Sequence, residues 1–120
     1  MTEIQNTKHY DLEDRTLKFA KQVREFVKKL PKTLANVEYG KQLIRSSGSV
    51  GANYIEANES FSKKDFVMRT KICRKEAKES RYWLKLVETN PNILEGERNN
   101  LIKEATELMK IFGSMIEKTK

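Results

Sequence analysis

The chain has 120 residues, which suffices for one domain with a single core and is too short for two cores of ordinary stability. Hydrophobic residues make up 38% and charged residues 34%, a balance typical of helices with a wide solvated face. The formal net charge is +7, and two prolines and five glycines are too few for many short strands joined by tight turns.

The first predicted helix covers residues 11–30 and follows a polar N-terminal tail, residues 1–10. Asp11 is the expected N-cap, and Pro31 ends the helix because the residue before a proline resists the α conformation. Its apolar residues recur at helical spacing and form one stripe: Leu12, Phe19, Ala20, Val23, Phe26, Val27 and Leu30.

The second predicted helix covers residues 36–60, with Asn36 as the expected N-cap. Its centre, SSGSVGAN, has the composition of a loop, and each glycine costs a helix about 1 kcal/mol relative to alanine. We still predict a helix, because the three-and-four spacing continues through it: Tyr39, Leu43, Ser46, Val50, Tyr54, Ala57 and Phe61. Gly40, Ser47 and Gly51 would then lie together and permit close approach of a neighbouring helix.

The third and fourth predicted helices cover residues 63–89 and 96–118. Ser62 is the expected N-cap of the third helix, with Asp65 three residues on, and Asn90-Pro91-Asn92 ends it. The core line of the third helix is Phe66, Cys73, Ala77, Ser80, Leu84 and Val87. That of the fourth is Leu101, Ala105, Leu108, Met109, Phe112, Met115 and Ile116. Short links between helices of similar length predict a single-domain, all-α, antiparallel four-helix bundle with up-down-up-down topology.

A second apolar line on the third helix predicts self-association. It lies beside the core line and widens the apolar arc beyond what one neighbouring helix on each side would cover. Because large exposed apolar patches usually mark contacts, we predict an oligomer interface on this line. Its residues are Met68, Ile72, Trp83 and Leu86.

Two carboxylates, Glu76 and Glu79, interrupt this second line. An unpaired carboxylate would be costly there, so we predict a buried polar network in which both accept hydrogen bonds. The other predicted members are Arg45, Asn53 and Glu56 of the second helix, and Tyr82 is a further candidate donor. The alternative is that both carboxylates reach solvent at the edge of the bundle.

The strongest functional pattern is a row of basic residues on the opposite flank of the third helix. Residues 62–88 hold nine bases against four acids, and lysines recur there every seven residues. Successive sevens drift by only about 20° on a straight helix, so the side chains form one continuous basic stripe. The basic stripe comprises Lys64, Lys71, Arg74, Lys75, Lys78, Arg81 and Lys85.

Such an array can bind nucleic-acid phosphates without any base-reading geometry. Tyr82 is the only aromatic residue within the stripe, so the pattern gives little support for stacking on single strands. The alternative interpretation is a solvated face that only contributes solubility.

Catalytic and metal chemistry find no support in the sequence. His9 is the only histidine and no Glu-x-x-His pair occurs, which argues against a di-iron or zinc site. Cys73 lies on an apolar stripe without a nearby histidine and is expected to be a buried structural residue. We therefore expect no enzyme, no cofactor and no metal.

The sequence also favours a cytoplasmic location. The opening residues, MTEIQNTKHY, lack the apolar run of a signal peptide, and no segment approaches the roughly 20 apolar residues of a membrane span. A single cysteine excludes an internal disulfide. We expect a protein of a bacterial-type cytoplasm with no membrane contact.

Three stretches together resemble a known family. They are SVGANYIEA at 49–57, KKDF at 63–66 and EAKESRYWLKL at 76–86. The combination is similar to the four-helix-bundle proteins encoded in intervening sequences of bacterial 23S ribosomal RNA genes, often labelled ribosomal proteins, over residues 10–118. The chain departs from the commonest form at Gly51, where a proline usually precedes the Ala-Asn, and at Ala57-Asn58, where a glycine usually follows the glutamate.

The resemblance implies a left-handed bundle that assembles as a ring-like homopentamer. A related accessory protein of diversity-generating retroelements is basic, pentameric and associated with nucleic acid and a reverse transcriptase. We therefore expect a non-enzymatic basic oligomer that binds RNA or DNA backbone with little sequence selectivity, as an rRNA-associated protein or a nucleoprotein accessory. A protein–protein adaptor without a nucleic-acid role is the alternative.

Overall fold

Four α-helices make up the computed structural model of this chain: α1 Thr2–Lys29, α2 Leu34–Asn58, α3 Lys63–Leu86 and α4 Ile93–Glu117. The structure describes the backbone of residues 2–89 and 93–120, and the side chains of residues 12–89 and 93–120. Both α1 and α3 pack against α2 and α4, and the links are short, so the predicted up-down-up-down bundle is confirmed. None of the described helices is long and apolar enough to cross a membrane.

Several helix ends differ from the predicted ones. α1 begins at Thr2, so the backbone of the predicted polar tail is already helical and Asp11 does not start the helix. α4 begins at Ile93 rather than near residue 96. The segment 90–92, which was predicted to end the third helix, lies outside the described residues.

The start of α2 also differs, because Thr33 and not Asn36 is the N-cap. The Thr33 hydroxyl accepts a hydrogen bond from the backbone nitrogen of Asn36 at 3.1 Å. The buried Asn36 amide instead donates to the carbonyl oxygens of Pro31 and Glu88, at 2.9 and 2.8 Å. Its Oδ1 accepts from the backbone nitrogen of Glu88 at 2.8 Å. Asn36 therefore fastens the α1–α2 link to the end of α3.

The core follows the predicted apolar stripes. The buried core residues include Leu12, Phe19, Val23, Phe26, Leu30, Leu43, Val50, Tyr54, Cys73, Ala77, Leu84, Val87, Leu101, Ala105, Leu108 and Phe112. Phe61 is the exception: α2 ends at Asn58, so the predicted face stops before Phe61, and its side chain is 104% exposed.

The glycine-rich centre of α2 is helical, as the spacing predicts. A Cβ at Gly51 would lie 2.9 Å from Thr16 Oγ1, and one at Gly40 would lie 3.2 Å from Val27 Cγ1. These two glycines therefore permit close packing of α2 on α1. Gly48 faces open space instead.

Candidate nucleic-acid interface

α3 is one uninterrupted helix, which the predicted basic stripe requires. The Ser62 hydroxyl caps it by accepting a hydrogen bond from the backbone nitrogen of Asp65 at 3.0 Å. Asp65 in the first turn and Lys85 in the last turn both have the charge that the helix dipole favours. The 24 residues give a rod about 36 Å long.

The basic stripe lies on the face of α3 opposite the core. The core face buries Thr70, Cys73, Ala77, Ser80 and Leu84. Six cations of the stripe are exposed: Lys64, Lys71, Arg74, Lys75, Lys78 and Lys85. The seventh, Arg81, is half-buried. None of the seven forms an ion pair with another side chain among residues 12–89 and 93–120. The stripe therefore keeps its positive charge.

Two arginines form the edge of the stripe that borders α4. The Arg81 guanidinium donates to the Thr106 hydroxyl at 3.3 Å. Arg74 lies over Gly113, where a Cβ would meet its Nη1 at 3.8 Å. The lysines of the stripe are the outermost cations, and these arginines are held closer to the bundle surface.

A shallow groove lies at the first turns of α3. Its volume is about 610 Å³. Val67 and Met68 form its apolar floor, and the rim is formed by Lys63, Lys64 and Lys71. An apolar floor with a cationic rim suits a ligand that is both flat and anionic.

The predicted polar network is present in part, between α2 and α3 of the same chain. Arg45 Nη2 lies 2.9 Å from Glu79 Oε1 and 3.3 Å from Glu76 Oε1. Glu76 is only 7% exposed, so the guanidinium compensates a carboxylate that would otherwise be buried alone. The structure does not bring Asn53 or Glu56 to this cluster. Asn53 donates to the carbonyl oxygen of residue 49 on its own helix, and Glu56 is exposed.

Glu76 and Glu79 thus pair with Arg45 and not with the stripe. Comparison with known proteins shows the family of this chain. The family model of the 23S rRNA-intervening sequence protein matches residues 8–114. The chain belongs to this family. The resemblance predicted from three sequence stretches is therefore confirmed.

A solved structure of a similar protein has the same fold. It is the crystal structure of a protein with unknown function from the S23 ribosomal protein family of Bacteroides thetaiotaomicron VPI-5482. The two chains are 32% identical and superpose with a TM-score of 0.76, covering 92% of this chain and 98% of that chain. Comparison with curated proteins gave no match.

Much of the second apolar line on α3 is covered by other parts of the same chain. The ring of Trp83 lies 5.9 Å from that of Tyr39 on α2, and Trp83 packs against the core. Ile72 and Leu86 are half-buried, and Met68 is 55% exposed. α2 covers Trp83 because Tyr39 projects toward α3. Of the four residues predicted for an oligomer interface, Met68 is the most accessible.

A different apolar surface, which the sequence reasoning missed, lies on α1 and α2. Leu17, Val37, Ile44 and Ile55 are between 44% and 52% exposed, and we refer to these four side chains as the α1–α2 apolar surface. A cavity of about 420 Å³ opens beside Val37 and Ile44, and Val27 of α1 also lines it. The spacing of Val37, Ile44 and Ile55 could have revealed one side of α2.

The single cysteine of the protein is buried, as predicted. Burial raises the pKa of the Cys73 thiol to about 12, so the reactive thiolate is scarce at neutral pH. Across the described side chains there is no cluster of three or more His, Cys, Asp or Glu residues that could hold a metal ion. His9 lies outside the described side chains.

Proposed function

We propose that this protein is a non-enzymatic, cytoplasmic nucleic-acid-binding protein that holds RNA or DNA by its backbone, with little sequence selectivity. One observation carries the proposal: seven cations lie along one flank of α3, six of them exposed, and none is neutralised by an ion pair within the described residues. The family name, which refers to an intervening sequence of 23S rRNA, supports a role associated with ribosomal RNA. The same backbone binding would also suit an accessory protein of another nucleoprotein complex.

The spacing of the stripe suits backbone contacts. Residues seven apart on a helix are separated by about 10.5 Å, so Lys64, Lys71, Lys78 and Lys85 extend over about 31 Å. Phosphate contacts of this kind position a nucleic acid without reading its bases. Binding should therefore weaken steeply with salt and vary little with sequence.

The test removes three lysines of the stripe together, as Lys71→Gln, Lys78→Gln and Lys85→Gln. Affinity for labelled RNA and DNA is measured by fluorescence anisotropy between about 50 and 300 mM salt. Each lost phosphate contact should reduce the salt slope by about 0.7 to 0.9, so the slope should fall by about 2 to 3 in all.

The matched control removes three exposed lysines outside α3, as Lys21→Gln, Lys32→Gln and Lys118→Gln. It makes the same change in net charge and should leave the slope nearly unaltered. Equal losses in both variants would mean that the general charge of the protein, and not the stripe, attracts nucleic acid. Absence of binding by the wild type at the lowest salt would refute the proposed function.

We also propose that the protein forms a homo-oligomer, and the family resemblance makes five copies the best number. Accessible apolar side chains support it: Met68 on α3 and the α1–α2 apolar surface. The test is Ile44→Asp with Ile55→Asp, against a control of Leu34→Asp with Ile93→Asp at exposed helix starts. Light scattering should show a smaller mass for the first pair alone, and a monomeric wild type at micromolar concentration would contradict the proposal.

The α1–α2 apolar surface also favours a second function, that of a protein–protein adaptor. In that case the basic stripe solvates the bundle and the apolar surface binds a different protein, for which the resemblance suggests a reverse transcriptase. The salt titration separates the two functions, because an adaptor of this kind would bind neither RNA nor DNA at low salt.

A further inference from the structure

Exposed apolar side chains lie among the cations of the basic stripe. Met68 is 55% exposed and Tyr82 is 58% exposed. They are 14 residues apart on α3, nearly four turns, so both point to the same side of the helix about 21 Å apart. Phosphate binding alone gives no reason for apolar groups on this face.

Phe61 adds a third exposed side chain at the start of the same helix. It precedes the N-cap residue Ser62, where an apolar side chain often packs on the fourth helical residue, here Phe66. The full exposure of Phe61 shows that this packing is absent. An aromatic ring in water therefore lies next to Lys63 and Lys64.

The ring of Tyr82 packs against the ring of Trp83. It meets Trp83 edge-on, with ring centroids 5.1 Å apart and planes at 74°, and Trp83 packs in turn on Tyr39. Aromatic contacts of this kind restrict the ring while more than half of the side chain stays in water. A ring held in this way can stack on a flat ligand at a small entropic cost.

These positions match the chemistry of an unpaired nucleotide, which has a flat apolar base and an anionic phosphate. Aromatic rings stack on bases, and methionine sulfur also makes favourable contacts with aromatic rings. In the groove at the first turns of α3, the Val67 and Met68 floor would receive a base while the lysine rim holds phosphates. A duplex keeps the flat faces of its bases inside the stack, so it would leave these apolar groups without a stacking partner.

We infer that the basic stripe selects single-stranded over double-stranded nucleic acid, with bases stacked on Phe61 and Tyr82 and against Met68. This inference rests on the proposed function and specifies its ligand. It reverses the expectation from the sequence, which had placed Phe61 in the core and left Tyr82 as an isolated aromatic residue. The distance from Met68 to Tyr82 equals about six nucleotides at the 3.4 Å spacing of a stacked strand.

The experiment compares an unstructured single strand of about 12 nucleotides with a duplex of the same length, at one salt concentration. The variant is Phe61→Ala with Tyr82→Ala, and the control is Leu34→Ala with Ile93→Ala, which removes two exposed aliphatic side chains elsewhere. Affinity for the single strand should fall on the order of tenfold or more in the variant. Affinity for the duplex should change less than twofold, and the salt slope should not change because no charge is lost.

Two further measurements separate stacking from a structural effect. Tyr82→Phe keeps the ring and should bind the single strand like the wild type. Trp83 is the only tryptophan and touches Tyr82, so its fluorescence should change when the single strand binds and not when the duplex binds.

Each possible result bears on a different statement. No binding of either nucleic acid overturns the proposed function and this inference together. Equal binding of both forms by the wild type, or no loss in the alanine variant, overturns the inference alone and leaves backbone binding intact. Tighter binding to vesicles containing anionic phospholipid than to the single strand also overturns it, because the same side chains would then serve a membrane surface.

Discussion

Replacing Gly48 and Gly51 separately by alanine tests the packing of α2 on α1. Both glycines lie inside α2, where alanine is favoured over glycine by about 1 kcal/mol. This gain is common to both variants and cancels when they are compared. The remaining difference in stability between the two variants depends on the space around each new methyl group.

The surroundings of the two glycines differ sharply. A Cβ at Gly48 meets nothing within 4 Å, whereas one at Gly51 would lie 2.9 Å from Thr16 Oγ1 and 3.2 Å from Thr16 Cβ. Thr16 cannot turn away easily, because it is 1% exposed and its hydroxyl donates to the carbonyl oxygen of Leu12 at 2.8 Å. Overpacking of this kind costs about 1 to 3 kcal/mol.

We therefore expect Gly48→Ala to raise the free energy of unfolding by about 1 kcal/mol, which is roughly 4 °C in Tm for a domain of this size. Gly51→Ala should be less stable than Gly48→Ala by about 1 to 3 kcal/mol. Urea unfolding followed by circular dichroism measures both, over a tenfold range of protein concentration so that self-association is separated from folding. Equal stability of the two variants would refute the close approach of α1 and α2 at Gly51.

Three further predictions concern single residues. Asn36→Ala removes three side-chain hydrogen bonds, two that join the α1–α2 link to Glu88 and one to the carbonyl oxygen of Pro31. Urea unfolding should therefore show a loss of about 2 to 4 kcal/mol, and a loss below about 0.5 kcal/mol would contradict the role given to this amide. The pKa of Cys73 is raised to about 12, so at pH 8 a thiol reagent should label the native protein far more slowly than the urea-unfolded one, and equal rates would show that the thiol is accessible. Hydrogen bonds from Arg98, and to a smaller extent from Thr89, lower the pKa of Glu95. The ionised carboxylate therefore stabilises the fold at any pH above its ordinary pKa. This stabilisation is lost as the pH falls through the lowered pKa. Glu95→Gln should accordingly lower the Tm at pH 7 and converge with the wild type near pH 2; a difference in Tm that stays constant with pH would exclude this carboxylate as its source.

The bundle and the basic stripe could be predicted because both depend on helical periodicity. Once the core line of α3 is known, the 3.6-residue period fixes the direction of every other side chain, including Lys64 and Lys85. The three-and-four spacing of apolar residues also correctly predicted that α2 continues through Gly48 and Gly51. Burial of that apolar face outweighs the helix propensity lost at the two glycines.

Contacts between distant parts of the chain could not be predicted in this way. The hydrogen bonds of Asn36 join residues 52 positions apart, and the sequence near Asn36 fits an N-cap equally well. The exposure of Phe61 depends on where α2 ends, and helix ends are set by local capping contacts that periodicity does not describe. The coverage of Trp83 likewise depends on Tyr39, which belongs to another helix.

The sequence predicted the cations of the candidate site but not the exposed apolar side chains that lie among them. Periodicity placed the seven basic residues along one flank of α3, where six are exposed and Arg81 is half-buried. Whether they were already paired depended on the acids of the other helices. The sequence predicted Arg45 as a partner of Glu76 and Glu79, and the folded arrangement shows these two ion pairs. It also shows that no acid of the described residues neutralises the stripe.

The hydrogen bond between Ser46 and Ser80 has a consequence for that separation of charge. These two hydroxyls are fully buried between α2 and α3, with their oxygens 2.9 Å apart. Sliding one helix by a turn would break this hydrogen bond and leave each hydroxyl only the carbonyl oxygen on its own helix, that of Leu43 for Ser46 and that of Glu76 for Ser80. The loss of a hydrogen bond is unfavourable in a dry interior. The Ser46–Ser80 hydrogen bond thus favours one axial register of α2 against α3. By fixing their axial register it also fixes which carboxylates Arg45 can reach, and so keeps Glu76 and Glu79 away from the cations of the basic stripe.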